Sequence, residues 1–165
     1  MHMQTTRRQI IGLGGCLLLS FIVSAIGAAA SVQAKSFYGQ LAQSAWAPPG
    51  WVFGPVWTVL YVLMAVAAWL VWRSRGFRQN KLALGFFLLQ LVFNALWSWL
   101  FFAWRLGGWA FADILALLVS LAITLVLFWR VKRTAGVLLI PYLLWVTFAA
   151  ALNYVLWQMN PQVLG

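Results

Sequence analysis

Very few residues in this chain are suited to acid–base, nucleophilic or metal chemistry. Asp113 is the one carboxylate, His2 the one imidazole and Cys16 the one thiol among 165 residues. Paired carboxylates, histidine-centred triads and multi-ligand metal sites all need more partners than this, which leaves no metal site and no conventional enzyme in a single chain. A lone thiol also excludes an intrachain disulfide. Rings and amides are abundant instead, with 12 Trp, 12 Phe and 4 Tyr. Trp57, Tyr61, Met64, Ala65 and Ala68 repeat at helical spacing and share one face. Gln90, Asn94, Trp97, Ser98 and Phe101 do the same on a second segment, and a third carries Pro141, Tyr142, Trp145, Thr147, Ala149, Ala150, Ala151 and Asn153. An amide is costly in hydrocarbon without a partner, so Gln90 and Asn94 point inward, either as hydrogen-bonded glue between helices or as the polar groups of a cavity.

The elements that must position these groups are membrane helices. Apolar residues make up 65% of the chain and charged ones 7%, with a net charge of +10. Each crossing needs about 20 apolar residues, and the sequence predicts five: 9–30, 51–72, 81–104, 109–129 and 135–158. The expected architecture is an all-α membrane protein, with a tail at 1–8 and one five-helix domain over 9–165. Arg7, Arg8, Arg73, Arg75, Arg78, Lys81, Arg130, Lys132 and Arg133 fall on one side, and only Lys35 and Arg105 on the other. The positive-inside rule then places the N-terminus in the cytoplasm. Basic clusters of this kind meet water and anionic lipid head groups, not nucleic acid. Trp69, Trp72, Trp104, Trp109, Trp129 and Trp157 mark span ends as an interfacial belt.

The first span has two readings. Arg7-Arg8 before an apolar run that ends at Val32-Gln33-Ala34 resembles a secretory signal, but the run is as long as a crossing. Gly12, Cys16, Ser20, Ser24 and Ala28 place small residues at every fourth position, a face that lets another helix approach closely and favours a retained span. Cys16 is then a packing residue. Asp113, one turn into the fourth span, is expected to meet the positive end of its helix and Arg105.

Between the first two spans, 31–50 carries Phe37, Tyr38 and then Trp46-Ala47-Pro48-Pro49-Gly50-Trp51, followed by Phe53. The double proline forbids a helix there, so this apolar segment is expected to fold as a rigid turn that covers a surface. At 1.5 Å per residue, Trp57, Trp97 and Asn94 lie roughly 9, 10 and 15 Å below the outer helix ends, beneath that segment. An aromatic-walled cavity with a few amides and a lid suits a flat, mostly apolar ligand.

Several motifs in order, Trp46-x-Pro48-Pro49-x-Trp51-x-Phe53-Gly54-Pro55-x-Trp57-Thr58-x-Leu60-Tyr61, Asn94-Ala95-Leu96-Trp97-Ser98, Pro141-Tyr142-Leu143-x-Trp145 and Ala151-Leu152-Asn153-Tyr154, resemble the TspO/MBR family of tryptophan-rich sensory and translocator proteins. The resemblance implies a five-helix bundle, often a homodimer, that binds tetrapyrroles such as protoporphyrin IX or haem under the first loop. It implies a sensory or stress-response role in a bacterial membrane, taken here as the inner one. Tyr38, Trp46, Pro48, Pro49, Phe53, Trp57, Tyr61, Gln90, Asn94, Trp97, Ser98, Trp145 and Ala149 are the ligand-binding candidates. Light-dependent porphyrin breakdown in some members implicates positions resembling Trp57 and Trp145. This chain departs from the family pattern at Phe37, Ser44 and Trp99, where many members have Trp, Pro and Pro. No basic residue follows Tyr154 closely, so the sterol pattern of the animal proteins is not carried. The alternative function is a transporter of tetrapyrroles or other small metabolites, against which stand the odd number of spans and the single intramembrane acid.

Overall fold

A computed structural model describes residues 6–165, apart from the side chain of Arg75; His2 and the first five residues of the expected tail lie outside the described residues. The chain folds as α1 (Thr6–Ala30), α2 (Ala34–Gln40), a 3₁₀ turn (Gly50–Val52), α3 (Phe53–Gln79), α4 (Lys81–Ser98), a π-helical turn (Trp99–Ala103), α5 (Gly107–Val131), α6 (Arg133–Met159) and α7 (Pro161–Leu164). Among the described residues, five stretches are long and apolar enough to cross a membrane: Thr6–Ala30, Gly50–Ser74, Lys81–Ala103, Gly107–Val131 and Arg133–Met159. Helices are the open-ended solution in lipid because they satisfy their own backbone groups. Pro141 lies inside α6, which continues across it. α3 runs past its expected end into the basic stretch and breaks at Gly76, whose φ of 73° is one that residues with a side chain rarely adopt. Asn80 ties this break, its Nδ2 donating to the carbonyls of Val71 at 2.9 Å and Gly76 at 3.1 Å.

The helices close a ring in the order α1, α3, α6, α5, α4 and back to α1. α1 is the peripheral member: Ile10, Ile11, Leu18, Phe21, Ile22 and Ile26 face outward. Its small-residue column faces in, with Ser20 fully buried. A Cβ built on Gly12 would lie 2.1 Å from the Trp72 ring, so the column makes room for a side chain there and not only for a backbone. The Trp69 indole donates to the Gln9 carbonyl at 3.0 Å. Trp129 lies against Gly136, and Trp157 against Gly107 and Gly108; an added Cβ would fall 2.8 Å from the ring at Gly136 and Gly107 and 3.0 Å at Gly108. Tryptophans expected only as an interfacial belt thus also fit onto glycines of neighbouring segments.

The segment 31–50 differs from the expected turn. Its first part is helix α2, which buries Phe37 and Tyr38 and continues to the buried Leu41. The Pro48-Pro49 part is extended, Pro49 having φ −64° and ψ 144°. Three contacts pin the segment. The Tyr38 hydroxyl donates to the Pro48 carbonyl at 2.9 Å. Asn160, at the end of α6, accepts from the Ala42 N–H at 2.8 Å and donates to the Ala42 carbonyl at 2.9 Å. Arg105 lies over the Phe37 ring at 4.8 Å. Asp113 lacks the Arg105 partner expected of it, and its Oδ2 is buried with no hydrogen-bond partner among the described residues.

Candidate ligand cavity

A cavity of about 390 Å³ opens where α1, α2, α3 and α4 meet. α3 supplies its aromatic wall with Phe53, Trp57 and Tyr61, at the i, i+4, i+8 spacing of a single helix face. α4 supplies Asn94, Trp97 and Ser98 opposite, and Phe102 follows from the π-helical turn. That turn begins at Trp99 and is closed by the Trp104 N–H on the Trp99 carbonyl at 2.8 Å. α1 contributes Ser24, Gly27 and Ala28, Ser31 follows in the turn after it, and α2 contributes Lys35 and Tyr38. The small residues of α1 are therefore the third wall.

Behind the aromatic wall runs a buried polar chain. The Tyr61 hydroxyl donates to Asn94 Oδ1 at 2.6 Å, Asn94 Nδ2 donates to the Tyr142 hydroxyl at 2.7 Å, and that hydroxyl donates to Gln90 Oε1 at 2.8 Å. Gln90 Nε2 reaches the Met64 sulfur at 3.8 Å. A second link joins Trp97 Nε1 to Asn153 Oδ1 at 2.9 Å, and Asn153 Nδ2 to the Gly107 carbonyl at 3.1 Å. Both links fix ring orientations before any ligand arrives. Asn94 has two amide hydrogens and this chain commits one of them, so a donor remains at the cavity wall. Trp57 is oriented by rings, with Tyr61 at 5.8 Å and Tyr142 at 6.1 Å between centroids. Burial pushes the Tyr38 hydroxyl above its ordinary 10.0, so the group that latches the covering segment stays protonated through neutral pH.

The structure gathers seven of the expected residues in this cavity: Tyr38, Phe53, Trp57, Tyr61, Asn94, Trp97 and Ser98. The others lie elsewhere. Gln90 is interhelical framework. Trp46 packs edge-on against Phe148 at 5.7 Å, and Pro48 serves through its carbonyl. Pro49 caps the 3₁₀ turn, and Ala149 is core. Trp145 lines a separate apolar groove of about 600 Å³ between α3 and α6, with Pro55, Val59, Leu63, Pro141 and Phe148. Its Nε1 is buried without a partner among the described residues, and its ring meets Phe53 at 5.8 Å, so Phe53 stands between it and the cavity. Sequence reasoning missed Lys35, Gly54, Thr58 and Phe102. For Gly54 and Thr58 a signal existed, since they sit at i+1 and i+5 from Phe53; for Lys35 none did, because its place depends on the unforeseen α2.

Five apolar helices long enough to cross a membrane, with an aromatic cavity among four of the helices, define a multi-pass membrane protein, and no group of three or more His, Cys, Asp or Glu is gathered among the described residues. The profile of the TspO/MBR family matches residues 16–158, and the chain belongs to that family. It is similar to the tryptophan-rich protein TspO of Chlorobaculum tepidum, 36% identical over 157 residues that cover 93% of this chain and 99% of that one. The human translocator protein is 40% identical over 126 residues, 75% of each chain. A tryptophan-rich sensory protein of Cereibacter sphaeroides is 38% identical over 148 residues, 87% of this chain and 91% of its own.

Proposed function

We propose that this chain binds a tetrapyrrole, protoporphyrin IX or haem, in the α1–α4 cavity and acts as a sensory or regulatory protein of the bacterial inner membrane. The observation that carries the reading is the wall of Phe53, Trp57, Tyr61 and Trp97 around about 390 Å³, within the size range of small-molecule pockets. Flat rings gain from burial and offset stacking there, and Asn94 offers one donor to a polar edge. The names sensory protein and translocator protein borne by its relatives agree with a ligand-responsive role. In this reading α1 is retained, the N-terminus is cytoplasmic and the protein acts as a homodimer, the last to be checked by the mass of the purified protein in mild detergent.

Titration with protoporphyrin IX tests the reading. Saturable quenching of tryptophan emission is expected, weakened about tenfold by Trp57→Phe and unchanged by Trp129→Phe, since a stacked ring contributes on the order of 1 kcal/mol. Equal loss at both positions would mean partitioning into the micelle and would end the proposal. Light-dependent porphyrin breakdown is a second reading, favoured by the contacts of Trp57 with Tyr61 and Tyr142, which line up oxidisable rings at the cavity wall. Here Trp145 acts from behind Phe53 without touching the ligand. Bleaching that needs light, oxygen and Trp57 supports it, and equal bleaching by denatured protein removes it. For the transport alternative, uptake by sealed vesicles no greater than that of empty liposomes is expected.

A further inference from the structure

We infer that Lys35 is a specificity-determining residue of the cavity: its ammonium receives a carboxylate at the ligand's edge, so the site selects flat apolar molecules that carry an anionic end. The inference rests on the tetrapyrrole-cavity reading and says which edge of the ligand faces outward.

Lys35 is the one charged residue among those that line the cavity. It belongs to α2, outside the spans, and is exposed, which makes it a residue of the cavity's rim. Its stem passes beside Gly50: a Cβ built there would lie 4.0 Å from Lys35 Cγ and 3.6 Å from the Tyr38 ring. No acidic side chain competes for it, since Asp113 is the only one in the sequence and is buried in α5. Arg105, the other cation expected on this side, is occupied over Phe37. Deeper in, no charged group lines the cavity to balance an anion. The Ser31 hydroxyl donates to the Gly27 carbonyl at 2.9 Å and the Thr58 hydroxyl to the Gly54 carbonyl at 2.9 Å, so both are engaged by backbone carbonyls four residues back. A carboxylate placed against Trp57 and Tyr61 would lose its water without gaining a counter-charge. The rim therefore takes the anionic end and the rings take the apolar body.

The test compares protoporphyrin IX with its dimethyl ester, read by quenching of tryptophan emission, on the full chain and on Lys35→Gln and Lys35→Arg. Taking the acid-to-ester affinity ratio within each protein and comparing it between proteins cancels micelle partitioning. The ratio is expected to fall about fivefold in Lys35→Gln, to be kept in Lys35→Arg, and to shrink in the unsubstituted chain as salt rises. An equal ratio in the unsubstituted chain and Lys35→Gln overturns the inference and leaves the porphyrin reading intact. If neither porphyrin quenches saturably, the porphyrin reading fails instead. Pyrenebutyrate and its methyl ester then decide the inference by the same ratio, and equal ratios or no saturable binding would overturn it.

Discussion

At the scale of residues, the cavity wall depends on a few hydroxyl and amide groups that each serve two helices. Tyr142 is fully buried in α6, and its single oxygen joins Asn94 to Gln90, both in α4. Tyr142→Phe keeps the ring and removes the oxygen, leaving an amide donor and an acceptor without partners. A loss of about 1–3 kcal/mol is expected, measured as a lower unfolding midpoint in detergent. The neutral Tyr38 hydroxyl donates to Pro48, and burial raises its pKa, so the latch holds below the unfolded value of 10.0 and is lost as pH rises through the higher folded value. Porphyrin dissociation that is flat from pH 6 to 9 and quickens only in stronger alkali is the expected profile, and Tyr38→Phe should abolish that alkaline step. The sequence made Gln90 and Asn94 visible as costly amides, but left open whether they served ligand or framework. Their partners decided it: Gln90 is framework, while Asn94 both holds the wall and lines it.

At the scale of elements, α1 does its work through what it lacks. Gly12 accommodates the Trp72 indole, and farther along Ser24 and Ala28 leave open the space that becomes the cavity's third wall. Gly12→Ala is expected to cost about 1–3 kcal/mol, because the added methyl overlaps the indole. Trp72→Ala in the same chain should recover much of that loss, giving a clear coupling in a double-mutant cycle. The covering segment is held from the opposite end of the sequence by Asn160. Asn160→Ala removes that clip and is expected to speed porphyrin release about tenfold with unchanged far-ultraviolet circular dichroism. Unchanged release would show that the cap does not gate the cavity. The five spans were legible because about 20 uncharged apolar residues signal a crossing whatever surrounds them. α2 was not legible: seven residues are too few to show a period, and its burial of Phe37 and Tyr38 comes from the bundle beneath.

At the scale of the whole molecule, the uneven charge distribution is what the proposed orientation rests on. Nine of eleven bases fall on one side of the expected topology. In a Cys16→Ser background, a cysteine placed at Ser36 should react with an impermeant maleimide added outside intact cells, and one placed at Gln79 only after lysis. The reverse pattern would invert the proposed orientation. Trp57 and Trp145, which the sequence grouped around one hollow, line different spaces, because α3 fronts the cavity with one face and the groove against α6 with another. Trp57 lines the cavity of α1 to α4, and Trp145 the groove between α3 and α6.

By itself the sequence determined the solvent, the number of crossings and the ring-rich, acid-poor chemistry, because hydropathy and composition act locally and need no partner to be read. Tertiary structure alone decided which faces meet: that Lys35 reaches the rim, that Asn160 ties the cap and that Trp145 stands apart. Those outcomes depend on helix rotation and neighbour order, which a run of apolar residues does not encode when lipid and protein interior are equally apolar and every face of a helix is hydrophobic.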